Sequence, residues 1–352
     1  MIEPFVSDPD FTLYAGDARD VLPHLDDALA HCIVTSPPYY LLRDYEVDGQ
    51  IGMEDTLDEY VGNLVDVLDA ARRVLRDDGT VWLNLGDTYS ASPRGPRHGR
   101  TSTLSTPERQ ERVSPVVNKL GRAAGTKPKD LMLVPFEVAF ALRDDGWWLR
   151  QVIVWDKPNP IPESAKDRPT TSHEYVLLLS KSRRYWYDAN AIAEPATWDR
   201  WGAQTMRKDV VGKARIAKRA TKAEIAAKWP GIGGRARASR AGAALFAPGS
   251  DESEPMDARV TRNARSVWRI PCAQFEGDHA AVMPLELAER CILAGCPGGG
   301  TVLDPFAGAG TTAYAARRLD RRSIGIELSE KSCAIAAERL AQQPLLAAEA
   351  SV

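Results

Sequence analysis

The first residues that could take part in chemistry follow a short apolar run at positions 32–34. Ser36 brings a hydroxyl, Pro37 and Pro38 each lack a backbone N–H, and Tyr39 brings a flat aromatic ring. An apolar run that stops at two prolines is typical of a buried strand followed by a rigid turn. Hydrogen-bond acceptors beside an aromatic ring can hold the amino group of a planar molecule. The alternative is a proline-rich turn with no chemical role.

A second group of residues lies near the other end, between an apolar strand pattern at 301–304 and a helix pattern from residue 313. Gly308 and Gly310 lack side chains, so a ligand can lie close to the backbone at the helix N-terminus. Glu327 ends the next apolar run, where a carboxylate can accept hydrogen bonds from ribose hydroxyls. Because there is no third glycine and no lysine for a pyrophosphate, a cofactor without phosphates, S-adenosylmethionine, fits best. The cofactor-binding residues assigned in this stretch are Asp304, Pro305, Phe306, Gly308, Gly310, Thr311, Thr312 and Glu327.

The composition is that of an ordinary globular protein: of 352 residues, 44% are hydrophobic and 26% are charged. No apolar run approaches the length of about 20 residues that spans a bilayer, and the first residues lack the basic and apolar regions of a signal peptide. The five cysteines are scattered without metal-ligand spacing, and Cys32 lies inside an apolar run. We therefore expect a cytoplasmic protein with reduced thiols, a core position for Cys32, no bound metal and no membrane partner.

Positive charge is concentrated in two segments, although the net charge of the whole chain is −3. Residues 91–129 contain nine Lys or Arg against two Asp or Glu, and residues 199–240 contain twelve against three. Neither segment shows a sustained hydrophobic period. Such segregation of charge is typical of proteins that bind a polyanion. The alternative is a pair of solvated loops whose charge has no partner.

Strand and helix patterns alternate along the rest of the sequence, which indicates an α/β domain with a mostly parallel sheet. A turn at 77–79 is expected between the helix 58–75 and the strand 80–85, because Asp-Asp-Gly interrupts the apolar pattern there. Further strands are expected at 11–15, 32–34, 149–155, 174–179, 301–304 and 323–326. Further helices are expected at 131–143, 284–294, 313–319 and 331–340.

Together, the two motifs resemble those of DNA amino-methyltransferases. The match lies in Thr35-Ser36-Pro37-Pro38-Tyr39 and in the nine residues from Asp304 to Thr312. Because the catalytic motif comes first and the cofactor motif last, with a long insert between them, the order is similar to that of the beta group of this family. The resemblance covers nearly the whole chain except the two basic segments. It implies a Rossmann-like, mostly parallel α/β sheet that binds S-adenosylmethionine, with an inserted basic target-recognition region.

The resemblance also implies an organisation into five segments. Residues 1–90 would form the catalytic half of the methyltransferase core, and 91–129 a basic mobile loop. Residues 130–182 would continue the core and 183–265 would form the target-recognition region. The half that binds S-adenosylmethionine would be 266–345.

By the same resemblance, Asp17 lies at the site that contacts adenine, and His279 belongs to the segment that closes over the methionine end of the cofactor. Ser36 and the Pro37 carbonyl would hold the hydrogens of an exocyclic amino group, whose lone pair would then point at the methyl group for direct in-line transfer. Tyr39 would stack on a base flipped out of duplex DNA.

The target base is open to two interpretations. A serine at the position of Ser36 is similar to the cytosine-N4 enzymes, but some members with serine modify adenine N6. The expected partner is double-stranded DNA, with the protein associated with the nucleoid, and the resemblance leaves open a cognate restriction endonuclease and a homodimer. The rival functions are a catalytically silent DNA-binding regulator on the same fold and a methyltransferase acting on RNA or protein.

Overall fold

The computed structural model of the protein describes most of the chain. The described residues are 2–45, 47–90, 127–160, 162–163, 165–195, 261–273 and 283–341. Nearly all of both basic segments, and His279 with them, lies outside these ranges, so what is said above of those residues stays a prediction.

One large sheet organises the described residues. Its strands are β1 (Val6–Ser7), β2 (Phe11–Ala15), β3 (Ala30–Thr35), β4 (Leu75–Leu85), β5 (Trp148–Asp156), β6 (His173–Ser180), β9 (Val267–Arg269), β10 (Thr301–Asp304) and β11 (Arg322–Glu327). Their spatial order is β1-β2-β11-β10-β3-β4-β6-β5-β9. Strands β2, β11, β10, β3 and β4 are parallel, β6 is antiparallel to both its neighbours, and β9 is parallel to β5. The predicted mostly parallel α/β sheet is confirmed.

The strand order reverses between β10 and β3. From β10 the chain proceeds to β11 on one side, whereas from β3 it proceeds to β4 on the other side. In open α/β sheets, ligands bind in the crevice outside the carboxyl ends of the strands at such a point. The carboxyl ends of β10 and β3 carry the cofactor motif and the Ser-Pro-Pro-Tyr motif, so the topology itself brings the two motifs together.

Helices cover both faces of the sheet. They are α1 (Ala18–Val21), a 3₁₀ turn (Leu22–His24), α2 (Leu57–Val74), α3 (Val134–Asp144), α4 (Leu285–Gly295), α5 (Thr311–Arg318) and α6 (Glu330–Ala341). Successive residues of a strand point to opposite faces. Accordingly, Ile33 of β3 packs with α2 and α3, whereas Cys32 and Val34 pack with α4 and α5. Cys32 is fully buried, which confirms its predicted place in the core.

The predicted turn at 77–79 is wrong. Strand β4 begins at Leu75, directly after α2. Leu75 pairs with Ala30 of β3 and Thr80 pairs with Cys32, and the register between the two strands shifts between these pairs. Leu75 is fully buried, and its side chain occupies the space that a Cβ on Gly79 would need, with 2.5 Å between them. The strand therefore continues with an irregular register through a stretch of turn composition: β4 advances five residues from Leu75 to Thr80 while β3 advances two from Ala30 to Cys32.

The chain divides into two units, Met1–Ala193 with Asn263–Val352, and Glu194–Arg262. All elements described so far belong to the first unit. In the second, the described residues form the short antiparallel pair β7 (Glu194–Pro195) and β8 (Thr261–Arg262), joined by an ion pair between Arg262 and Glu194. Among the described residues of both units, no helix has the length and apolar character needed to cross a membrane.

Candidate active site

A direct hydrogen bond joins the two motifs. The Thr35 hydroxyl at the end of β3 donates to Asp304 Oδ1 at the end of β10 over 2.6 Å, although the two residues are 269 positions apart. The Thr312 hydroxyl at the start of α5 donates to the Val34 carbonyl over 3.3 Å. Asp304 is 5% exposed, and this burial raises the pKa of its carboxyl group despite the bonds from Thr35 and the Phe306 amide. The two motifs are thus joined side by side at the carboxyl edge of the sheet.

A pocket of about 1030 Å³, including the part open to solvent, lies along the carboxyl ends of β2, β11, β10 and β3. Glu327 ends β11 inside it. Its Oε2 accepts from the Gly308 amide over 2.8 Å and its Oε1 accepts from the Ser329 amide over 2.9 Å. Burial raises the pKa of Glu327, and the two amides only partly oppose this effect. The pocket lining also includes the motif residues Pro305, Phe306, Thr311 and Thr312.

The two glycines of the cofactor motif adopt backbone conformations that favour glycine. Gly308 and Gly310 have φ angles of 51° and 75°, in the left-handed region that favours glycine. A Cβ on Gly308 would meet nothing within 4 Å, whereas one on Gly310 would lie 3.1 Å from Ala336 of α6. The predicted close approach of a ligand to the backbone at these glycines stays a prediction, and the left-handed backbone conformation is a second reason for glycine at both positions.

Asp17 lies at the end of β2 and also lines the pocket. Its Oδ1 accepts from the Arg19 amide over 2.8 Å, which caps α1, and its carboxylate is also held by the Arg19 guanidinium. Burial opposes ionisation of Asp17, but the Arg19 bonds prevail and lower its pKa. Arg19 further donates to the Gly49 carbonyl over 3.3 Å. Asp17 is therefore an ionised group whose orientation is fixed before any ligand arrives.

The loop after Tyr39 forms one wall of the same pocket, and the sequence had not indicated this role. The lining residues from this loop are Tyr45, Val47, Gly49, Gln50 and Ile51. Gln50 holds the loop together, because its Oε1 accepts from the Tyr45 amide over 2.7 Å and its Nε2 donates to the Arg43 carbonyl over 3.2 Å. The aromatic and polar composition of the loop is the only feature of its sequence that is compatible with a place in a binding pocket.

Ser36 and Pro38 line the pocket beside Asp304, whereas Pro37 is buried. The Pro38 carbonyl accepts a hydrogen bond from the Tyr60 hydroxyl over 2.9 Å, and this bond ties the motif to α2. Within the described residues, the Pro37 carbonyl has no such donor. The structure therefore brings Ser36, Pro38, Asp17, Asp304 and Glu327 around one pocket.

Tyr39 is fixed at both its hydroxyl and its ring. The hydroxyl donates to Glu174 Oε2 over 2.7 Å and accepts from Asn84 Nδ2 over 2.8 Å. A Cβ on Gly86 would lie 2.5 Å from the ring, so the ring packs directly on the Gly86 backbone. Burial, followed by the nearby charge of Glu174, raises the pKa of Tyr39 well above its ordinary value. The phenol therefore stays protonated.

Sequence reasoning missed three polar residues around Tyr39. Asn84 of β4 is 2% exposed, and Glu174 of β6 and Lys157 after β5 form an ion pair whose side chains are each 16% exposed. They converge because β4 and β5 end at the edge of the sheet where the antiparallel β6 begins. The feature of the sequence that could have indicated a functional residue here is the polar Asn84 inside the apolar run 80–85. It gives no indication of Lys157 or Glu174.

The charge of the pocket suits a cationic nucleoside. Among the described residues that line it, three carry carboxyl groups, Asp17, Asp304 and Glu327, and none is Lys, Arg or His. A phosphate-bearing cofactor would meet repulsion here, whereas S-adenosylmethionine carries a sulfonium and an ammonium group. Phe306 and Ile51 supply apolar surface for an adenine ring. The residues present fit the predicted cofactor. His279 lies outside the described residues.

Comparisons with known proteins agree with this geometry. Residues 30–338 match the family model of N6/N4 methyltransferases, described as DNA methylase. The chain is 40% identical over 329 residues to the type II methyltransferase M.SmaI of Serratia marcescens, covering 93% of this chain and 90% of that one. It is 37% identical to M.Cfr9I of Citrobacter freundii, covering 94% and 87%.

A solved structure shares the fold. The PvuII DNA methyltransferase, named as cytosine-N4-specific, superposes with a TM-score of 0.59 at 16% identity and covers 96% of this chain and 89% of its own. At this identity the likeness concerns the arrangement of strands and helices. The family model and the two relatives carry the assignment: the chain belongs to the N6/N4 DNA methylase family, whose members transfer the methyl group of S-adenosylmethionine to amino groups in DNA.

Proposed function

We propose that this DNA amino-methyltransferase acts on the N4 amino group of cytosine in duplex DNA. The observation that carries the proposal is the place of Ser36, a neutral hydroxyl that lines the pocket between Asp304 and the Tyr39 network. Serine at this position resembles the cytosine-N4 members of the family. The alternative is adenine N6, for which the same acceptors are chemically sufficient.

In the proposed reaction, Ser36 Oγ and the Pro37 carbonyl accept the two hydrogens of the amino group. The exocyclic nitrogen is a poor nucleophile while its lone pair is delocalised into the ring, and these bonds favour a tetrahedral nitrogen with a localised lone pair. Bound S-adenosylmethionine would supply an electrophilic methyl group: the nitrogen–carbon bond would form as the sulfur–carbon bond breaks, S-adenosylhomocysteine would leave, and the methylated nitrogen would release one of its two hydrogens as a proton to solvent. Tyr39 stacks on the flipped base and holds the nitrogen in line with that methyl, so that positioning supplies most of the rate enhancement.

The surroundings of Tyr39 support this role. Its hydroxyl is bonded by Glu174 and Asn84, and its ring rests on Gly86. A platform held at three points can orient a base with little loss of entropy on binding.

The remaining segments are assigned by the same proposal. Residues 1–90, 130–182 and 266–345 form the catalytic core, and 183–265 recognise the target sequence. The basic segments, including 91–129, contact DNA phosphates, because clustered Lys and Arg release counterions from the duplex. The proposal extends to association with the nucleoid in the cytoplasm. The existence of a cognate restriction endonuclease is supported by the naming of relatives as type II methyltransferases. The proposal also includes a homodimer, which mass photometry would detect directly.

The test is to digest DNA methylated by the purified protein to nucleosides and to weigh them by mass spectrometry. We expect N4-methylcytosine. N6-methyladenine as the only product would overturn the assignment of the base. Absence of both, with DNA binding intact, would identify a catalytically silent regulator. Labelled methyl groups should pass to duplex DNA and not to RNA or protein. Sequencing of DNA from cells that express the protein would locate the recognition site.

A further inference from the structure

An open cleft of about 1520 Å³, including the part open to solvent, lies at the same edge of the sheet as Tyr39. Its lining includes Tyr89, which follows β4, and residues of the segment that joins β5 to β6. Tyr89 comes three positions after Gly86, on which the Tyr39 ring rests. Because β4 and β5 end where β6 begins, the cleft and the proposed base platform share one edge.

We propose that Arg168, in this cleft, binds a backbone phosphate of DNA beside the target nucleotide through two parallel N–H groups. Arg168 lies outside both basic segments and outside the predicted target-recognition region. It would hold the sugar-phosphate backbone in place while the base leaves the duplex. The inference rests on the proposed duplex substrate and on flipping of the target base, and it applies to either target base.

One side of the Arg168 guanidinium group is fixed by its own loop. Its Nη1 pairs with Glu163 Oε2 over 2.5 Å, and it also faces the Pro169 carbonyl at 3.3 Å and Thr171 Oγ1 at 3.4 Å. Glu163 is held in turn, because its Oε1 accepts from the Thr171 amide over 3.2 Å. The hydrogens of Nη1 are therefore taken up within the loop.

The guanidinium group also lies on an aromatic ring. Its Cζ atom is 3.9 Å from the centroid of the Tyr89 ring, a cation–π contact. The ring is held by backbone pairing, since Tyr89 forms an antiparallel bridge with Leu131 and the Met132 amide donates to the Thr88 carbonyl over 2.9 Å. The orientation of the Arg168 side chain is thus set before DNA arrives, so little freedom is lost on binding.

The other edge of the same group carries Nε–H and Nη2–H. Within the part of the chain that the structure describes, neither atom has a hydrogen-bond acceptor, whereas Nη1 has three. Two parallel donors on a group that always carries a positive charge match two oxygens of one phosphate, in a bidentate, charge-assisted contact. This edge of Arg168 is therefore the part of the cleft that can bind an anionic group.

The placement of Arg168 favours a phosphate over the edge of a base. Base edges lie at the floor of a major groove about 8.5 Å deep, and a side chain tied to its own loop through Nη1 cannot extend that far. Phosphates lie on the outside of the duplex. The charge of Lys129, which also lines the cleft, is offset by Asp167 at 2.7 Å. A phosphate held here would therefore depend chiefly on the two donors of Arg168.

The test combines a protein variant with a chemical change in the DNA. In duplexes that carry the recognition site, a neutral methylphosphonate replaces one phosphate at a time on both sides of the target nucleotide. Fluorescence anisotropy gives each Kd, with S-adenosylhomocysteine present. For the wild-type protein, one of these replacements should raise the Kd about tenfold, because a charge-assisted bidentate contact is lost. Arg168→Gln should raise the Kd for the unmodified duplex by a similar factor, and that same methylphosphonate should then have no further effect.

The matched control is Arg150→Gln. Arg150 also lies over a tyrosine ring, with 5.5 Å from its Cζ to the centroid of Tyr185, but near the start of β5 and hence at the opposite edge of the sheet. This variant removes the same charge and should keep the effect of the methylphosphonate.

A second variant, Arg168→Lys, tests the fork of donors. It keeps a charge that can pair with Glu163 but lacks the two parallel N–H groups. We therefore expect it to lose the effect of the methylphosphonate, as Arg168→Gln does. Should Arg168→Gln fail to fold in a thermal melt, Arg168→Lys decides the question alone.

The outcomes separate this inference from the proposed function. An equal methylphosphonate effect in the wild type and in the Arg168 variants, or no effect at any position in the wild type, would overturn the inference. So would a relaxed preference for one base pair of the site with the methylphosphonate effect retained, since Arg168 would then read a base. A wild-type protein that neither binds nor methylates duplex DNA would instead remove the proposed function.

Discussion

At the residue scale, the position of one aromatic ring governs the proposed chemistry. Tyr39 is held by Glu174 and Asn84 at its hydroxyl and by the Gly86 backbone at its ring. Gly86 is not among the residues that line the pocket proposed for S-adenosylmethionine. A substitution at Gly86 therefore acts on the Tyr39 ring without changing a residue that lines the pocket.

Gly86→Ala should slow methyl transfer while leaving cofactor binding intact. The new Cβ would lie 2.5 Å from the Tyr39 ring, so the ring must move, and a displacement of about 1 Å at a reacting centre can lower the rate about 100-fold. Single-turnover methylation and calorimetric binding of S-adenosylmethionine measure the two effects. The matched control is Gly62→Ala in α2, where a Cβ meets nothing within 4 Å. Equal rates for the two variants would contradict the prediction.

The pH dependence of cofactor binding should follow Glu327 and Asp304. Burial raises both pKa values above their ordinary values of 4.5 and 3.8. A cationic ligand prefers the ionised carboxylates, so affinity should rise as the pH rises through the raised pKa values. The free energy of unfolding without cofactor should change in the opposite sense, because an acid with a raised folded-state pKa stabilises the fold when protonated and loses that contribution as pH increases.

Titration calorimetry at a series of pH values from about 5 upwards, above the ordinary carboxyl pKa values of about 4, would measure this dependence. Glu327→Gln should flatten it, since the amide does not ionise. A slope identical to that of the wild type would assign the effect to other groups.

At the element scale, the loop between β3 and α2 is the part of the site that sequence patterns describe least. It has no regular period, yet it supplies one wall of the pocket. Arg19 ties the loop to α1 by donating to the Gly49 carbonyl, and the Gln50 side chain bonds two backbone groups within the loop.

Gln50→Ala should weaken cofactor binding by about tenfold, because the loop loses two hydrogen bonds that keep it over the pocket. The effect should be seen in the KM for S-adenosylmethionine, with kcat nearly unchanged. Asp48→Asn, an exposed position in the same loop, serves as the control. A fall in kcat with unchanged KM would place Gln50 in base positioning instead.

The helices and strands whose own residues carry a periodic or apolar pattern could be predicted from the sequence. The amphipathic spacing at 58–75 predicted α2, and the strand ends at Thr35, Asp304 and Glu327 follow from short apolar runs. The cluster of Asn84, Lys157 and Glu174 was not predictable, because its members come from β4, from β6 and from the residue after β5, and the adjacency of these strands depends on the antiparallel placement of β6. The full extent of β4 was also missed, since burial of Leu75 overrides the turn composition of the residues that follow.

At the scale of the whole molecule, the division into two units predicts that DNA binding and cofactor binding can be separated. The cofactor pocket is built within the unit formed by Met1–Ala193 and Asn263–Val352. Deletion of residues 199–240, with their excess of Lys and Arg, should abolish DNA binding in a fluorescence anisotropy assay while binding of S-adenosylmethionine survives. Loss of both activities would mean that the segment belongs to the core.

The hydrogen bond between Thr35 and Asp304 has a consequence for how the polypeptide folds during synthesis. Strands β10 and β11 lie between β2 and β3, so a nascent chain that has not reached residue 301 has a gap in the middle of its sheet. The facing edges of β2 and β3 stay unpaired until then, which is a state prone to aggregation. Closing contacts of this sequence separation is slow, and we expect translation to finish these strands before the central sheet becomes resistant to protease.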